Sequence, residues 1–285
     1  MEKKSYLVTL KPKNEQLKKV IAYFYFHVCE NENHSESFQF YPNYLHAITI
    51  YFGNKVTLNS NPIGSKIDKS ENPNEITCLY TINTTQKIQV EMNGAYQKIG
   101  IVFYPLGVNH FIKKPLNEIM SENFKRIDLD ETFTEALQNI NKADDLEKQA
   151  SILENALLKL YKPLNEEILN NSIKEIILSN GAIKITELEE LFKINRKTLL
   201  RLFKKHTLTS VEDYKKMVMF RNSLNYAIQN KNEANLTDVA LYAMYYDQSH
   251  FIKHFKSITN ETPKTLLPKI NKLGNEDLYW HFFEK

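Results

Sequence analysis

The spacing of apolar residues divides the chain into a β-like first part and a helical remainder. The first part carries short apolar and aromatic runs at residues 20–28, 44–52, 76–82, 88–92 and 96–104. Clusters of Asn, Gly, Pro and Ser separate these runs, for example at residues 59–62. Short aromatic and β-branched runs of this kind predict the strands of a β-sandwich or barrel. A helical turn is expected at residues 14–20, before the first strand.

From residue 111 the apolar residues recur at helical spacing instead. This spacing predicts helices near residues 116–120, at 132–140 and at 146–161. The last of these helices has one apolar stripe, formed by Leu146, Ile152, Leu153, Ala156, Leu157 and Leu160. The stripe either packs on the β-rich part or forms a contact between two copies of the chain. A boundary is expected at residues 161–165, because Pro163 disfavours helix in the residue before it.

Two similar helical units follow the boundary. A helix that begins at residue 173 should stop at Asn180-Gly181, and Thr186 with Glu189 has the spacing of a capping box at the next helix. Each unit then has a cap residue, Asn195 or Asp247, before a helix whose apolar residues lie four positions apart. Helix, short turn and second helix is the helix-turn-helix plan.

One long helix is predicted at residues 211–228, between the two units. About eighteen residues at 1.5 Å each give roughly 27 Å. A strut of this length is suited to holding two recognition helices about one DNA turn, near 34 Å, apart.

The outward positions of the two second helices are the candidate DNA-binding residues. Helical periodicity places them opposite the apolar residues Leu199, Phe203, Phe251 and Phe255. The candidates are Arg196, Lys197, Leu200, Arg201 and Lys204 in the first helix, and Gln248, Ser249, Ile252 and Lys253 in the second. Arg can bridge guanine O6 and N7, Gln suits adenine, and Lys204 is expected at a phosphate.

The C-terminal third resembles the AraC/XylS family of bacterial transcription regulators. The resemblance rests on residues 245–251, Phe255-Lys256 and Thr262-Pro263 in the second unit, and on Leu199, Arg201, Phe203, Lys204, Tyr214 and Phe220-Arg221 before it. The family's turn glycines are replaced here by Lys193, Leu208, Met244 and Asn260, and a usual proline by Val211. Either those turns relax or their residues carry modest strain.

The resemblance also implies a set of partners. Double-stranded DNA is expected as the main partner, with a small effector, a second copy of the chain and RNA polymerase as further possibilities. The resemblance is weaker in the N-terminal part, where it rests on Tyr41-Pro42, the turn at residues 103–107 and a later helix pair.

The charge distribution favours a phosphate-binding segment at the same place. Residues 172–272 carry 17 Lys and Arg against 10 Asp and Glu, whereas residues 1–171 carry 19 against 21. An excess of this kind is typical of a nucleic-acid-binding domain joined to a neutral one, although a lysine-rich solvated surface would look the same.

Composition points to a cytoplasmic protein. Two cysteines, Cys29 and Cys78, fit a reducing compartment better than a disulfide scaffold. Neither a signal peptide at residues 1–5 nor a membrane-spanning run is expected.

The sequence gives little support for an enzymatic function. Residues 105–110 match part of a cupin metal motif, but its His-x-His half is absent, and His27 and His46 stand alone on apolar runs. We therefore expect no catalytic residues, no metal and no cofactor. The alternatives to an effector-controlled regulator are a cupin-like metal enzyme fused to a DNA-binding domain, and a constitutive regulator whose N-terminal domain only dimerises.

The expected architecture is α+β. It comprises a β-rich sensor or dimerisation domain with trailing helices at residues 1–162, and an all-α domain with two helix-turn-helix units at residues 163–272. An acidic and aromatic tail, expected to pack back onto the body, follows at residues 273–285.

Overall fold

The computed structural model describes residues 5–60, 62–82, 85–121, 124–141, 144–231, 233–276 and 278–283. The strands are β1 (Tyr6–Leu10), β2 (Ile21–Cys29), β3 (Ser35–Phe40), β4 (His46–Phe52), β5 (Asn54–Ser60), β6 (Ile63–Lys69), β7 (Ile76–Thr81), β8 (Ile88–Asn93), β9 (Tyr96–Phe103), β10 (Phe124–Arg126), β11 (Ile270–Leu273) and β12 (Leu278–Phe283).

The helices follow the same order along the chain. They are α1 (Leu116–Ile119), α2 (Glu131–Gln138), α3 (Leu146–Leu160), α4 (Glu167–Leu178), α5 (Ile185–Phe192), α6 (Arg196–Thr207), α7 (Val211–Gln229), α8 (Leu236–Tyr242), α9 (Gln248–Thr259) and α10 (Pro263–Leu266). The expected turn before the first long strand is a 3-10 helix at Leu17–Lys19. The predicted α+β class is therefore confirmed.

The first sheet is the middle layer of the N-terminal part. Its strand order is β1-β2-β9-β4-β7-β10, and every pairing is antiparallel. One face packs against α1, α2 and α3 through side chains such as Phe24, Phe26 and Ile50. The other face turns Tyr51 and Leu79 toward the second sheet. Burial on both faces explains why β2 and β9 read as continuous apolar runs rather than as alternating ones.

The second sheet has the order β11-β12-β3-β8-β6-β5. Its β6–β8 pairing is parallel and the others are antiparallel. Two of its strands, β11 and β12, come from the C-terminal end of the chain. The tail thus packs back onto the body as expected, because β12 pairs with β3 of the N-terminal domain.

The apolar stripe of α3 is used inside the chain. Leu153, Ala156 and Leu157 are buried in the core that α3 shares with the first sheet, and Leu146, Ile152 and Leu160 pack against that core. The sequence left open whether this stripe packs on the β-rich part or forms a contact between two copies of the chain. The structure shows it packed on the β-rich part.

The C-terminal helices form two small cores, one for each helix-turn-helix unit. Leu188, Leu199 and Phe203 are buried in the first core, and Val239, Phe251 and Phe255 in the second. The first half of α7 contributes to one core and its second half to the other.

Two helix starts differ from the sequence prediction. The helix expected from residue 173 begins six residues earlier, since α4 starts at Glu167. The capping box expected at Thr186 and Glu189 is wrong, because the cap residue is Lys184, whose N–H donates to Glu187 Oε2 at 2.9 Å. The Glu189 carboxylate accepts instead from the backbone N–H of Arg196, at the start of α6.

The four turn residues that replace glycines all adopt the left-handed conformation. The φ angles are 50° for Lys193, 59° for Leu208, 61° for Met244 and 63° for Asn260. The turns therefore keep the geometry that glycine would favour, and the non-glycine residues bear the strain. Within the part of the chain that the structure describes, no helix is long and apolar enough to cross a membrane.

Candidate functional site

The outward face of α6 presents all five residues that the sequence singled out. Asn195 caps this helix by accepting a hydrogen bond from Thr198 N–H at 2.9 Å. Leu199 and Phe203 are fully buried on the inner face. With that face fixed, the exposed side chains are Arg196, Lys197, Leu200, Arg201 and Lys204.

The outward face of α9 has the same construction with one difference. Asp247 caps the helix by accepting from His250 N–H at 2.7 Å, and Phe251 and Phe255 are fully buried. Gln248, Ser249 and Lys253 are exposed, but Ile252 is only half exposed and packs against the second core. Ile252 therefore offers a smaller contact surface than its equivalent, Leu200, in α6.

The cationic side chains on these faces have no ion-pair partner among the described residues. No carboxylate oxygen there lies within 4.0 Å of a side-chain nitrogen of Arg196, Lys197, Arg201, Lys204 or Lys253, although Glu189 accepts from the backbone N–H of Arg196. Unpaired, solvated cations on two helix faces are the arrangement that attracts a polyanion.

Helix α7 sets the separation of the two units. It has 19 residues, which at 1.5 Å each make it about 28 Å long. Tyr214 and Met217 anchor its first half in the first core, and Phe220 and Leu224 anchor its second half in the second. The predicted helical connection is thus present at the expected length.

The C-terminal end of α6 is attached to the N-terminal domain. Asn109 Nδ2 donates to the carbonyl oxygen of His206 at 3.2 Å, and its Oδ1 lies 3.1 Å from His206 Nδ1. The other ring nitrogen, Nε2, lies 3.1 Å from Glu166 Oε1. Burial lowers the pKa of His206, although Glu166 opposes this effect. Helix α6 is therefore positioned partly by the β-rich domain.

A cavity lies between the two sheets of the N-terminal domain. Its volume is about 110 Å³. The first sheet contributes Tyr25 and Lys98 to its walls, α7 contributes Arg221, and β12 contributes Tyr279 and Trp280. Because α7 and β12 lie in the C-terminal part of the chain, the cavity is bounded by both parts.

The sequence prediction missed Lys98 and the tail residues that line this cavity. A lysine in the middle of an apolar strand was the available signal for Lys98, because a buried amine needs an explanation. Nothing local in the tail indicates that Tyr279 and Trp280 reach a sheet formed more than two hundred residues earlier.

His27 and His46 of the β-rich domain are buried in its core. His27 Nε2 lies 3.0 Å from the Tyr96 hydroxyl, and His46 Nδ1 lies 3.2 Å from the Tyr80 hydroxyl. Burial lowers the pKa of His46 to about 3. Cys29 and Cys78 are free thiols. Among the described residues, no three or more His, Cys, Asp or Glu side chains are grouped so that they could hold a metal ion.

Comparison with protein families identifies the C-terminal helices. A family model described as a helix-turn-helix domain matches residues 188–268. The match spans α6, α7 and α9, and it confirms the AraC-type helix-turn-helix domain expected from the sequence. No curated protein matches the chain.

Solved structures similar to this chain include several of ToxT from Vibrio cholerae. One of them has 9% sequence identity, covers 93% of this chain and 97% of its own, and has a TM-score of 0.48. ToxT with a bound unsaturated fatty acid has 12% identity, covers 96% and 97%, and has a TM-score of 0.41. ToxT bound to a naphthalenyl butenoic acid derivative has 10% identity, covers 93% and 97%, and has a TM-score of 0.42.

Proposed function

We propose, on the premise that residues 188–268 form an AraC-type helix-turn-helix domain, that this protein is a sequence-specific DNA-binding transcription regulator. In the proposal, α6 and α9 enter successive major grooves of one duplex. The observation that carries it is the exposure of unpaired cations on the outward faces of both helices, on either side of a helix about 28 Å long.

The exposed side chains divide into base-reading and phosphate-binding groups. Arg196 and Arg201 have the fork geometry that reads guanine, and Gln248 can pair with adenine. Leu200, 39% exposed, is suited to contact with a thymine methyl group. The lysines, Lys197, Lys204 and Lys253, are assigned to phosphates, and Ser249 can serve either a base or a phosphate.

The proposed regulator responds to a small effector held in the cavity of the N-terminal domain. A concave cavity whose apolar and aromatic walls carry convergent polar groups is the usual form of a small-molecule site. Action in the bacterial cytoplasm, a homodimer and contact with RNA polymerase belong to the same proposal, and they rest on the resemblance to AraC/XylS regulators.

The proposal is tested by removing one cation from each recognition helix. The double variant Arg201→Ala with Lys253→Ala should bind its selected DNA site at least tenfold more weakly, since one good base contact is worth about 1–3 kcal/mol. The affinity should also depend less steeply on salt, because a variant that makes fewer phosphate contacts releases fewer counterions when it binds DNA. A gel-shift titration at several salt concentrations measures both effects.

A charge-matched control separates specific contacts from net charge. Lys55 and Lys159 are exposed and lie on the N-terminal domain, so Lys55→Ala with Lys159→Ala removes the same charge elsewhere. This control should keep nearly all of the affinity for the selected site. Equal losses in the two double variants, or no loss in the first, would exclude α6 and α9 as recognition helices.

A constitutive regulator is the second candidate. It has the same DNA-binding domain, but its N-terminal domain only dimerises. The cavity favours the effector-controlled form, since a domain with a purely structural role has no need of a site lined by Lys98 and Arg221. A ligand screen by thermal shift on the full chain separates the two, because a constitutive regulator would show no stabilising ligand.

A further inference from the structure

His206 lies at the C-terminal end of α6, where this helix meets the N-terminal domain, and only 5% of it is exposed. Its two ring nitrogens face two oxygen atoms. Nδ1 lies 3.1 Å from Oδ1 of Asn109, which belongs to the 3-10 turn after β9. Nε2 lies 3.1 Å from Oε1 of Glu166, at the end of the segment that joins the two domains. The nature of these two oxygens decides where the ring must carry hydrogen atoms.

The amide of Asn109 places one hydrogen on Nδ1. Its Nδ2 donates to the carbonyl oxygen of His206 at 3.2 Å. Because a carbonyl oxygen can only accept, this contact fixes which end of the amide is the nitrogen, and Oδ1 must then face the ring. Nδ1 therefore carries a hydrogen and donates it to Asn109 Oδ1.

The contact with Glu166 requires one proton more. An ionised carboxylate can only accept, and a neutral ring with its hydrogen on Nδ1 has a lone pair on Nε2. Two acceptors 3.1 Å apart repel each other, so this contact forms when a proton lies between Nε2 and Oε1. The arrangement of Asn109, His206 and Glu166 is therefore complete when it holds that proton and incomplete when the proton is lost.

The surroundings of the ring decide when it is protonated. Burial is the larger effect and lowers the pKa of His206, Glu166 opposes it, and Lys205 on α6 itself adds to it. The ring is therefore mainly neutral at pH 7 and takes up its proton under mildly acidic conditions. His110, beside Asn109, uses its Nδ1 to accept from Leu164 N–H at 3.3 Å. The helices packed against α6 have other acids that are exposed, namely Glu118 on α1, Glu167 on α4, Glu187 and Glu190 on α5, and Glu212 on α7.

We propose that Asn109, His206 and Glu166 form a proton-controlled contact that holds α6 against the N-terminal domain under mildly acidic conditions and weakens toward neutral pH. The inference rests on the proposed function, because it names a regulation of the first recognition helix. With the proton present, the ring joins the 3-10 turn of the N-terminal domain, the segment between the domains and the end of α6. Without it, Nε2 repels Glu166, and Lys205 remains as an ion-pair partner of this carboxylate, at 3.5 Å.

The first experiment follows the His206 ring by NMR in the full chain, from about pH 5 to pH 8. Its signals are assigned by their absence from the variant His206→Gln. The neutral ring should carry its hydrogen on Nδ1, as Asn109 requires. In Glu166→Gln the midpoint of the His206 titration should fall by about one pH unit, because the carboxylate that favours the charged ring is gone. Glu167→Gln, which alters the exposed neighbouring acid, should leave the midpoint unchanged.

The second experiment uses the same variants to test the regulation. The amide of Glu166→Gln can donate to the Nε2 lone pair of the neutral ring, so the contact is complete without an added proton and persists at neutral pH. Gel shifts with selected DNA are made at about pH 5.5 and pH 7.5. The unaltered protein and Glu167→Gln should bind more tightly at the lower pH. The ratio of the two affinities should be about fivefold smaller, or less, in Glu166→Gln. Protonation of His250 and His254 on α9 is common to all three proteins and cancels in this comparison.

Three results would overturn the inference. They are a neutral His206 ring with its hydrogen on Nε2, the same titration midpoint in Glu166→Gln as in the unaltered protein, and the same ratio of DNA affinities in all three proteins. Cooperative thermal unfolding shows that each variant is folded, and the position of the ring hydrogen is measured on the unaltered protein. The ring titration needs no DNA, so it separates this failure from that of the proposed function. Selective DNA binding with an unchanged midpoint rejects only the proton-controlled contact, whereas a shifted midpoint without sequence-specific DNA binding rejects the regulator and, with it, this contact's role in regulation.

Discussion

Lys98 shows at the scale of one residue how a side chain can oppose the stability of the fold that contains it. Its amine is buried among rings and has no oxygen partner among the described residues, so its folded environment disfavours the charged form. A residue of this kind is expected where a ligand supplies the missing partner, because binding sites commonly sacrifice stability.

Replacing Lys98 with methionine should therefore stabilise the ligand-free protein. Methionine fills the same volume without a charge to desolvate, and the expected gain in the free energy of unfolding at neutral pH is roughly 1–3 kcal/mol. Urea denaturation of both proteins measures the difference. A less stable variant would mean that the ammonium is already well satisfied in the folded chain.

The pH dependence of that difference identifies its cause. The pKa of Lys98 is about 7 in the folded chain against 10.5 as its ordinary value. Between these values the unfolded chain binds the proton and the folded chain does not, so the stability of the unaltered protein should rise with pH. The difference in the free energy of unfolding between Lys98→Met and the unaltered protein should therefore become smaller above pH 7. His27, Glu36 and Tyr96, which lie near the amine, are common to both proteins.

The left-handed turn residues are a second effect at this scale. Met244 has a φ of 61° and is 53% exposed, so it bears backbone strain with little packing in return. Met244→Gly should raise the free energy of unfolding by about 0.5–1 kcal/mol, because relief of the strain exceeds the entropy that glycine loses on folding. Asn260→Gly is the matched control and should change stability by less, since asparagine tolerates this conformation.

At the scale of elements, burial decides which strands the sequence reveals. Strands β2, β4 and β9 coincide closely with predicted runs because most of their residues are buried. Strands β7 and β8, with half of their residues buried, coincide with the other two runs. In strands β3, β5 and β6, polar residues interrupt the apolar ones, and β1 lies at the edge of its sheet. The apolar signal of these four strands is therefore weak. Helices α6 and α9 were predictable because their cap residues and four-residue spacing are local signals, whereas the starts of α4 and α5 were misplaced.

For the candidate sites as well, the sequence predicted what depends on local spacing and missed what depends on tertiary structure. Eight of the nine DNA-binding candidates are exposed, as helical periodicity predicts, and Ile252 is the half-buried exception. The cavity was not predictable, because Lys98, Arg221 and Trp280 come from distant parts of the chain and meet only in the tertiary structure.

The C-terminal strand β12 joins the end of the chain to the N-terminal sheet. The Trp280 ring stacks on Phe38, with ring centres 4.0 Å apart. Trp280→Ala should lower the free energy of unfolding by about 3 kcal/mol, the usual cost of emptying a buried aromatic site. Phe283→Ala, on the same strand but 38% exposed, should cost much less. Equal effects in chemical denaturation would show that β12 is not held through Trp280.

On the scale of the whole molecule, the cavity and the DNA-binding helices share structural elements. Arg221 lines the cavity and belongs to α7, the helix that separates α6 from α9. Tyr279 contacts the Arg221 guanidinium and is buried in the core of the second unit. A ligand in the cavity therefore contacts parts of the chain that position α6 and α9.

This arrangement predicts that effector binding in the cavity and DNA binding are coupled. A saturating effector should change the affinity for selected DNA about fivefold or more, and DNA should change the affinity for the effector by the same factor. Gel shifts with and without the effector, and effector titrations followed by Trp280 fluorescence with and without DNA, measure the two factors. Lys98→Met should abolish both, and coupling that persists in this variant would place the effector elsewhere.

The central claim is that two recognition helices on one strut read a single duplex. The most direct measurement is selection of binding sites from a random DNA pool by the full chain, followed by hydroxyl-radical footprinting of the enriched sequence. The account predicts two protected segments on one face of the duplex, about 10 base pairs apart. Within these segments, Arg201→Ala should relax sequence preference in one and Lys253→Ala should weaken protection in the other. No enriched sequence, or one protected segment that neither substitution affects, would contradict the account.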